Sequence, residues 1–293
     1  MWKLSSEWYL TQSDRRLLQL LILPQPKQEQ LEQFLAAWDI EEEGANRGLL
    51  LACYRAEQPQ LVFSDYVAPR LEGLLRFFRF RNMPLLAELH QVVRGFANQN
   101  IRYAVIRDGA MKMMYPEMVR DMSSVLILVP PQSMPEARAI LTACGSEHIV
   151  LSDSFWGKRA LRPVIQECIE EAVTCSFLGV RVRVARAEDL VWLNLLQVGF
   201  SVLHNLTHQL PATLIDIRRL MRAGKGFDVD KLVLRIRQSG TGAMVGLVYA
   251  LFAAYLPKEL SNIAPLNSYP IKQYIGVRLR LLYNRAFRKG KAK

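Results

Sequence analysis

The sequence predicts an α+β fold, a small mixed β-sheet core flanked by N- and C-terminal helical regions. Three observations carry that prediction. Apolar residues recur at helical spacing through residues 1–100 and again from residue 187 onward. Between these stretches lie short β-branched runs, "VLILV" at 125–129 and "VRVRV" at 180–184, of strand length and composition. Short helical segments alternate with those runs in the middle of the chain, as a mixed core requires. The expected organisation is an N-terminal helical region at 1–100, an α/β core at 101–185, a C-terminal helical region at 186–270 and a basic amphipathic tail at 271–293.

In the first region "DRRLLQLLIL" at 14–23 carries an apolar helical stripe, and "PQP" ends it. "KQEQLEQFLAAW" is a second helix and "ANRGLLLACYRA" a third. The run 67–100 reads as two helices with a boundary near Asn82. In the core, "IRYAVIRDG" is a strand leading into a turn at Asp108–Gly109, and "AMKMMYP" is a short helix ended by Pro116. "VLILV" is a buried strand closed by Pro130 and Pro131, and "MPEARAILTAC" is a helix stopped by Gly145. "LRPVIQ" at 161–166 and "VRVRV" read as further strands, the second alternating apolar and basic as a strand with one wet face does. Helices follow at 187–209, 212–224, 228–240 and 243–256, and the tail segment 271–289 reads as a last, basic helix.

Composition fits a large globular core: 51% of the 293 residues are hydrophobic and 22% charged. Cys53, Cys144, Cys168 and Cys175 show neither metal-ligand spacing nor a disulfide pattern, which fits reduced thiols and a cytoplasmic location. The N-terminal residues contain no apolar signal region. Ser239 to Pro257 carries no charge but opens on Ser-Gly-Thr-Gly, so it reads as a buried helix and not a transmembrane segment. The net charge is +11 and is concentrated in the tail, where Lys272, Arg278, Arg280, Arg285, Arg288, Lys289, Lys291 and Lys293 meet no acid. Such a tail suits an acidic partner surface, nucleic-acid phosphates or an anionic membrane, or it docks on the body as a final helix.

Other polar residues invite chemistry less. His204 and His208 share a helix face but lack the adjacent glutamate of a zinc-protease motif. Asp216, amid an apolar stripe, reads as a buried acid paired with Arg218, Arg219 or a backbone donor, or else as a cleft residue. Glu188 and Asp189 suit the first turn of a helix, where acids complement the dipole.

The segment "RDMSSVLILV" at 120–129 sets polar residues at the mouth of a buried strand. Preceded by strand, glycine turn and short helix, it resembles an uncharacterised bacterial nucleotidyltransferase family related in fold to the abortive-infection-type transferases. The resemblance rests on "RNMPLLAELHQVVRGFANQNIRYAVIRDGAMKMMYPEMVRDMSSVLILV", then "LGVRVRVARAEDLVWLNLLQ", "TLIDIRRLM" and "FDVDKLVLRIRQSG", in the family's order over about residues 80–257. It implies a nucleotidyltransferase-like core and, in an active member, Mg²⁺ and a nucleoside triphosphate. Two aspartates two apart on the second strand would then share a face, hold the hard cation and let it neutralise phosphate charge.

The positions matching those aspartates are Ser124 and Leu126, a poor ligand and a non-ligand. They are expected to face one side of the strand, toward a cleft beside Gly109. Where the family has lysine before glycine, this chain has Asp108, whose charge repels phosphate. Glu167, Glu170 and Glu171 offer a third carboxylate but read equally as an exposed helix start. The expectation is a pseudoenzyme with no catalytic residue, no metal and no cofactor, acting as a binding or scaffold protein for a protein partner. Its candidate anion or nucleotide cleft is lined by Arg107, Gly109, Ser123, Ser124 and Arg120. For Arg120 the alternative is a surface ion pair with Asp121 or Glu117. Two other readings stand beside it. One is an active metal-dependent transferase acting on a sugar, protein or RNA hydroxyl, with ligands recruited from Glu117, Asp121 or Asp153. The other is a basic nucleic-acid-binding adaptor.

Overall fold

The computed structural model describes residues 6–23, 25–155, 161–204, 206, 209–222 and 227–263. The tail at 271–293 and His208 lie outside the described residues. The fold is α+β, a five-stranded mixed sheet with helical segments before and after it. The chain divides into two compact units, Gln19–Leu190 and Met1–Leu18 with Val191–Lys293.

The helices before the sheet are α1 (Gln12–Leu21), α2 (Gln28–Leu35), α3 (Ala45–Glu57) and α4 (Val67–Asn98). The expected boundary near Asn82 does not exist: α4 is one helix of 32 residues with Pro84 inside it. A proline within a helix forfeits a backbone bond, a cost of about 3 kcal/mol. The helix continues because packing outweighs that loss. Leu71, Phe78, Leu85, Leu89, Val92, Val93 and Phe96 are all buried along it, and each such side chain gains roughly 1.5–3 kcal/mol on burial.

The sheet comprises β1 (Ala104–Ile106), β2 (Val125–Leu128), β3 (Ile149–Ser152), β4 (Val173–Phe177) and β5 (Val180–Val184), in the order β3-β2-β1-β5-β4. β1 runs antiparallel to β2 and parallel to β5, while β2 pairs in parallel with β3. β4 and β5 form a hairpin whose two turn residues, Leu178 and Gly179, have φ of 47° and 78°. Positive φ at both positions is the twist-matched turn of a two-residue hairpin.

The helices α5 (Arg107–Met114), α6 (Met134–Ala143) and α7 (Arg162–Glu170) punctuate the sheet. Two expectations are corrected here. Asp108 and Gly109 lie inside α5, so the reversal falls one residue earlier, at Arg107. "LRPVIQ" opens α7 and is not a strand. Pro163 sits in the first helical turn, where its missing N–H costs nothing, and Val164, Ile165, Cys168 and Ile169 form a buried helical stripe.

After the sheet come α8 (Ala187–His204), which passes from the first unit into the second at Val191, then α9 (Leu210–Arg222), α10 (Val229–Gln238) and α11 (Gly242–Phe252). Glu188 and Asp189 occupy the first turn of α8 and are buried there. Asp216 is buried on α9, as its apolar surroundings suggest. His204 is exposed at the end of α8, with its ring 4.0 Å from that of Phe200. Trp192 donates its indole N–H to Thr241 at 3.1 Å. The uncharged α11 buries Val245, Leu247, Val248, Leu251 and Phe252. Among the described residues, no helix is long and apolar enough to cross a membrane.

Candidate functional site around the start of strand β2

The chain leaves α5 at Met114 and reaches β2 at Val125 through a loop held on both sides. Lys112, a cation among methionines on α5, donates to the carbonyls of Pro116 and, at 3.1 Å, of Met118. Burial, and then the neighbouring Arg79, lower its pKa, although Glu117 opposes them. Val119 packs against Leu49 and Phe78, with Cys53, Leu74 and Leu75 around it. The Cys53 thiol also points to the Val119 carbonyl at 3.4 Å. The Arg120 carbonyl accepts a hydrogen bond from Asn82 Nδ2 at 2.7 Å, both groups being buried. Thus α3 and α4 fix the loop that presents the strand.

The expected surface position of Arg120 is corrected by this geometry. Arg120 is only 4% exposed, and beside it Asp121 pairs with Arg81 of α4 at 3.0 Å. The cause is the seating of Val119 and the Arg120 carbonyl against α3 and α4, which turns the chain inward at this point.

Ser123 and Ser124 are exposed, and Ser124 immediately precedes β2. The strand opens at Val125, whose N–H donates to the His148 carbonyl at 2.9 Å. Leu126 is half-buried and lies opposite Ile106 across the antiparallel pair. Alternation turns Ser124 and Leu126 to one face and Val125 and Ile127 to the other. Gly109 belongs to the second face. A Cβ added there would meet Val125 Cγ1 at 2.8 Å and Val105 Cγ1 at 3.0 Å. Gly109 therefore serves the close seating of α5 on β1 and β2, across the sheet from the face of Ser124 and Leu126. Arg107, at the head of α5, is half-buried with φ of 59°, the left-handed region that non-glycine residues seldom adopt. Asp108 beside it is half-buried too.

The carboxylates named as substitute ligands are dispersed or engaged. Asp153, just after β3, is bonded to Arg162, Asp121 is bonded to Arg81, and Glu117 is exposed. Glu167, Glu170 and Glu171 fall at the end of α7, not at a helix start, because the helix begins earlier than "LRPVIQ" read as a strand allows. Glu170 accepts from Gln166 at 2.9 Å. Among the described residues, no group of three or more His, Cys, Asp or Glu comes together in a way that could hold a metal ion.

Two further anchors were not legible in the sequence. Glu88 of α4 accepts from Ser146 Oγ at 2.8 Å, from the backbone of Glu147 at 3.1 Å and of His148 at 3.0 Å, and pairs with His148 Nδ1 at 2.6 Å. The same His148 offers its carbonyl to Val125, so α4 steadies β2 through the turn before β3. Arg183, on the basic side of "VRVRV", donates to the Ile169 carbonyl at 2.7 Å and the Glu170 carbonyl at 3.2 Å. A cation at the C-terminal carbonyls of α7 satisfies groups the helix leaves open. Lys112 could have been suspected as a cation set between Met111 and Met113. Glu88 and Arg183 had no such signal, because their partners lie far away in sequence.

Neither a family model nor a curated protein sequence matches this chain. A solved structure similar to it is the crystal structure of ANT(2")-Ia in complex with adenylyl-2"-tobramycin. The likeness covers 53% of this chain and 97% of that chain at 16% identity, with a TM-score of 0.36. A likeness of that strength carries no argument about function.

Proposed function

We propose that this protein is a nucleotidyltransferase-like binding or scaffold protein of the cytoplasm that has lost transfer chemistry and works through a protein partner. The observation that supports this reading best is the start of β2. Leu126, half-buried opposite Ile106, occupies the position at which the family resemblance calls for the second metal carboxylate. Ser124 stands at the first. A hydroxyl and an alkyl group cannot replace two hard anionic ligands. Of the named substitutes Glu117, Asp121 and Asp153, the two aspartates are paired with Arg81 and Arg162. The four cysteines, none of them in a disulfide, agree with the proposed compartment.

The test is thermal unfolding with Mg²⁺ or Mn²⁺ and each of the four ribonucleoside triphosphates. Binding to the native state raises the melting temperature by mass action, and no rise is expected here. A rise of several degrees at millimolar metal and nucleotide, lost in a Glu117→Gln/Asp121→Asn variant, would establish the active-transferase reading instead.

A further inference from the structure

The outer face of α4 is apolar where a surface helix is usually polar. Phe77, Phe80 and Met83 are 56%, 76% and 61% exposed. A spacing of three residues sets them side by side on the helix. The neighbouring turn continues with Pro84 and Ala87, both exposed. From residue 73 to residue 87 the charged residues are Arg76, Arg79 and Arg81, with no acid among them. Exposed apolar groups clustered in this way mark an interaction surface.

We propose that this face of α4, with Phe77, Phe80 and Met83 at its centre and Arg76, Arg79 and Arg81 at its margins, docks on a bilayer surface containing anionic phospholipid. Rings and a thioether enter the boundary between headgroups and acyl chains, while guanidinium groups reach back to the phosphates. Arg76 and Arg81 have carboxylates at their sides, Glu72 at 2.9 Å and Asp121 at 3.0 Å. Exposed ion pairs are weak enough for a lipid phosphate to compete with them. Arg79 has no carboxylate partner among the described residues. Arg76, Arg79 and Arg81, with no acid between residues 73 and 87, give this face local charge complementary to an anionic surface. A nucleic-acid strand would use aromatic rings spaced along a cationic track. Here the ridge passes from rings to Met83, Pro84 and Ala87, which suit hydrocarbon and give no base a stacking face. A second copy of the chain would set one arginine margin against another.

The full-length protein is tested by co-sedimentation with vesicles of phosphatidylcholine alone and of phosphatidylcholine with about 30% phosphatidylglycerol. Wild type is expected to bind the anionic vesicles and not the neutral ones. Phe77→Ser/Phe80→Ser is expected to reduce partitioning roughly tenfold or more, given the apolar area withdrawn. Arg76→Gln/Arg79→Gln is expected to reduce it by about fivefold for each charge at low salt. Melting temperatures of both variants, measured alongside, should stay within a degree or two of wild type, because the altered side chains are exposed. Absence of wild-type binding overturns the proposal. So does equal binding to neutral vesicles, or undiminished binding by the Phe77→Ser/Phe80→Ser variant. If these substitutions instead abolish binding of a 25-residue oligothymidylate, or convert a dimer to a monomer in light scattering, the face serves nucleic acid or self-association and the lipid assignment fails.

Discussion

Asn82 and Arg120 are joined by a buried hydrogen bond of 2.7 Å, from the Asn82 side-chain amide to the Arg120 backbone carbonyl. Thirty-eight residues of sequence separate them, and their bond ties the middle of the longest described helix to the loop that delivers β2. Asn82 is 3% exposed, so water cannot take its place. The first prediction concerns this bond. Asn82→Ala leaves a buried carbonyl unsatisfied and should cost about 1–3 kcal/mol in urea unfolding. Asn82→Asp should cost more, since it sets a carboxylate against a carbonyl. Equal stability in all three proteins would show that the loop is held by Val119 packing alone.

The second prediction is a pH dependence through Glu88. Burial raises the pKa of this carboxyl, but the His148 backbone and ring, with Ser146, outweigh burial and leave it lowered. A lowered folded-state pKa means that the unfolded chain binds the proton more readily. The stabilisation is therefore fully present above the ordinary glutamate range, about 4.3, and is lost as pH falls through the folded value. Glu88→Gln should lower stability by about 1–2 kcal/mol near neutrality. The gap to wild type should close on acidification. A gap that stays constant with pH would assign the loss to shape and not to charge.

Gly109 offers a packing test. Any Cβ there would press on Val125 and Val105 at 2.8 and 3.0 Å. Gly109→Ala gains about 1 kcal/mol in helix propensity but forces an overpacked contact costing about 1–3 kcal/mol. We expect a net fall in melting temperature. Val125→Ala added to it should restore part of the loss, and failure of that rescue would place the strain elsewhere.

The fourth prediction concerns the basic tail. Removing 284–293 deletes Arg285, Arg288, Lys289, Lys291 and Lys293. The shortened protein should melt almost as wild type does and leave heparin at clearly lower salt, because phosphate-like contacts scale with cations engaged. A large loss of stability would make the tail's end part of the packed structure. Unchanged retention would move the basic surface to Arg218, Arg219, Arg222 and Lys225.

Local patterning by itself determined the α+β class, the strands "VLILV" and "VRVRV", the helices that follow residue 187, and the non-ligand character of Ser124 and Leu126. These depend on side-chain identity and on periods of two or three to four residues, which neighbours in sequence reveal. "LRPVIQ" misled because a short apolar run suits strand and helix alike, and Pro163 as a helix opener was the overlooked sign. Strands β3 and β4, "IVLS" and "VTCSF", carry β-branched residues, but such short runs ending in or interrupted by polar residues are weak strand signals. Only the tertiary structure decided that α4 runs unbroken past Pro84, since buried contacts over its whole length outweigh one lost backbone bond. Only it decided the posts of Asn82, Glu88, Lys112 and Arg183. Most of their partners stand far off in the chain, so periodicity among sequence neighbours carries no sign of these bonds, of which the Asn82 bond is fully buried.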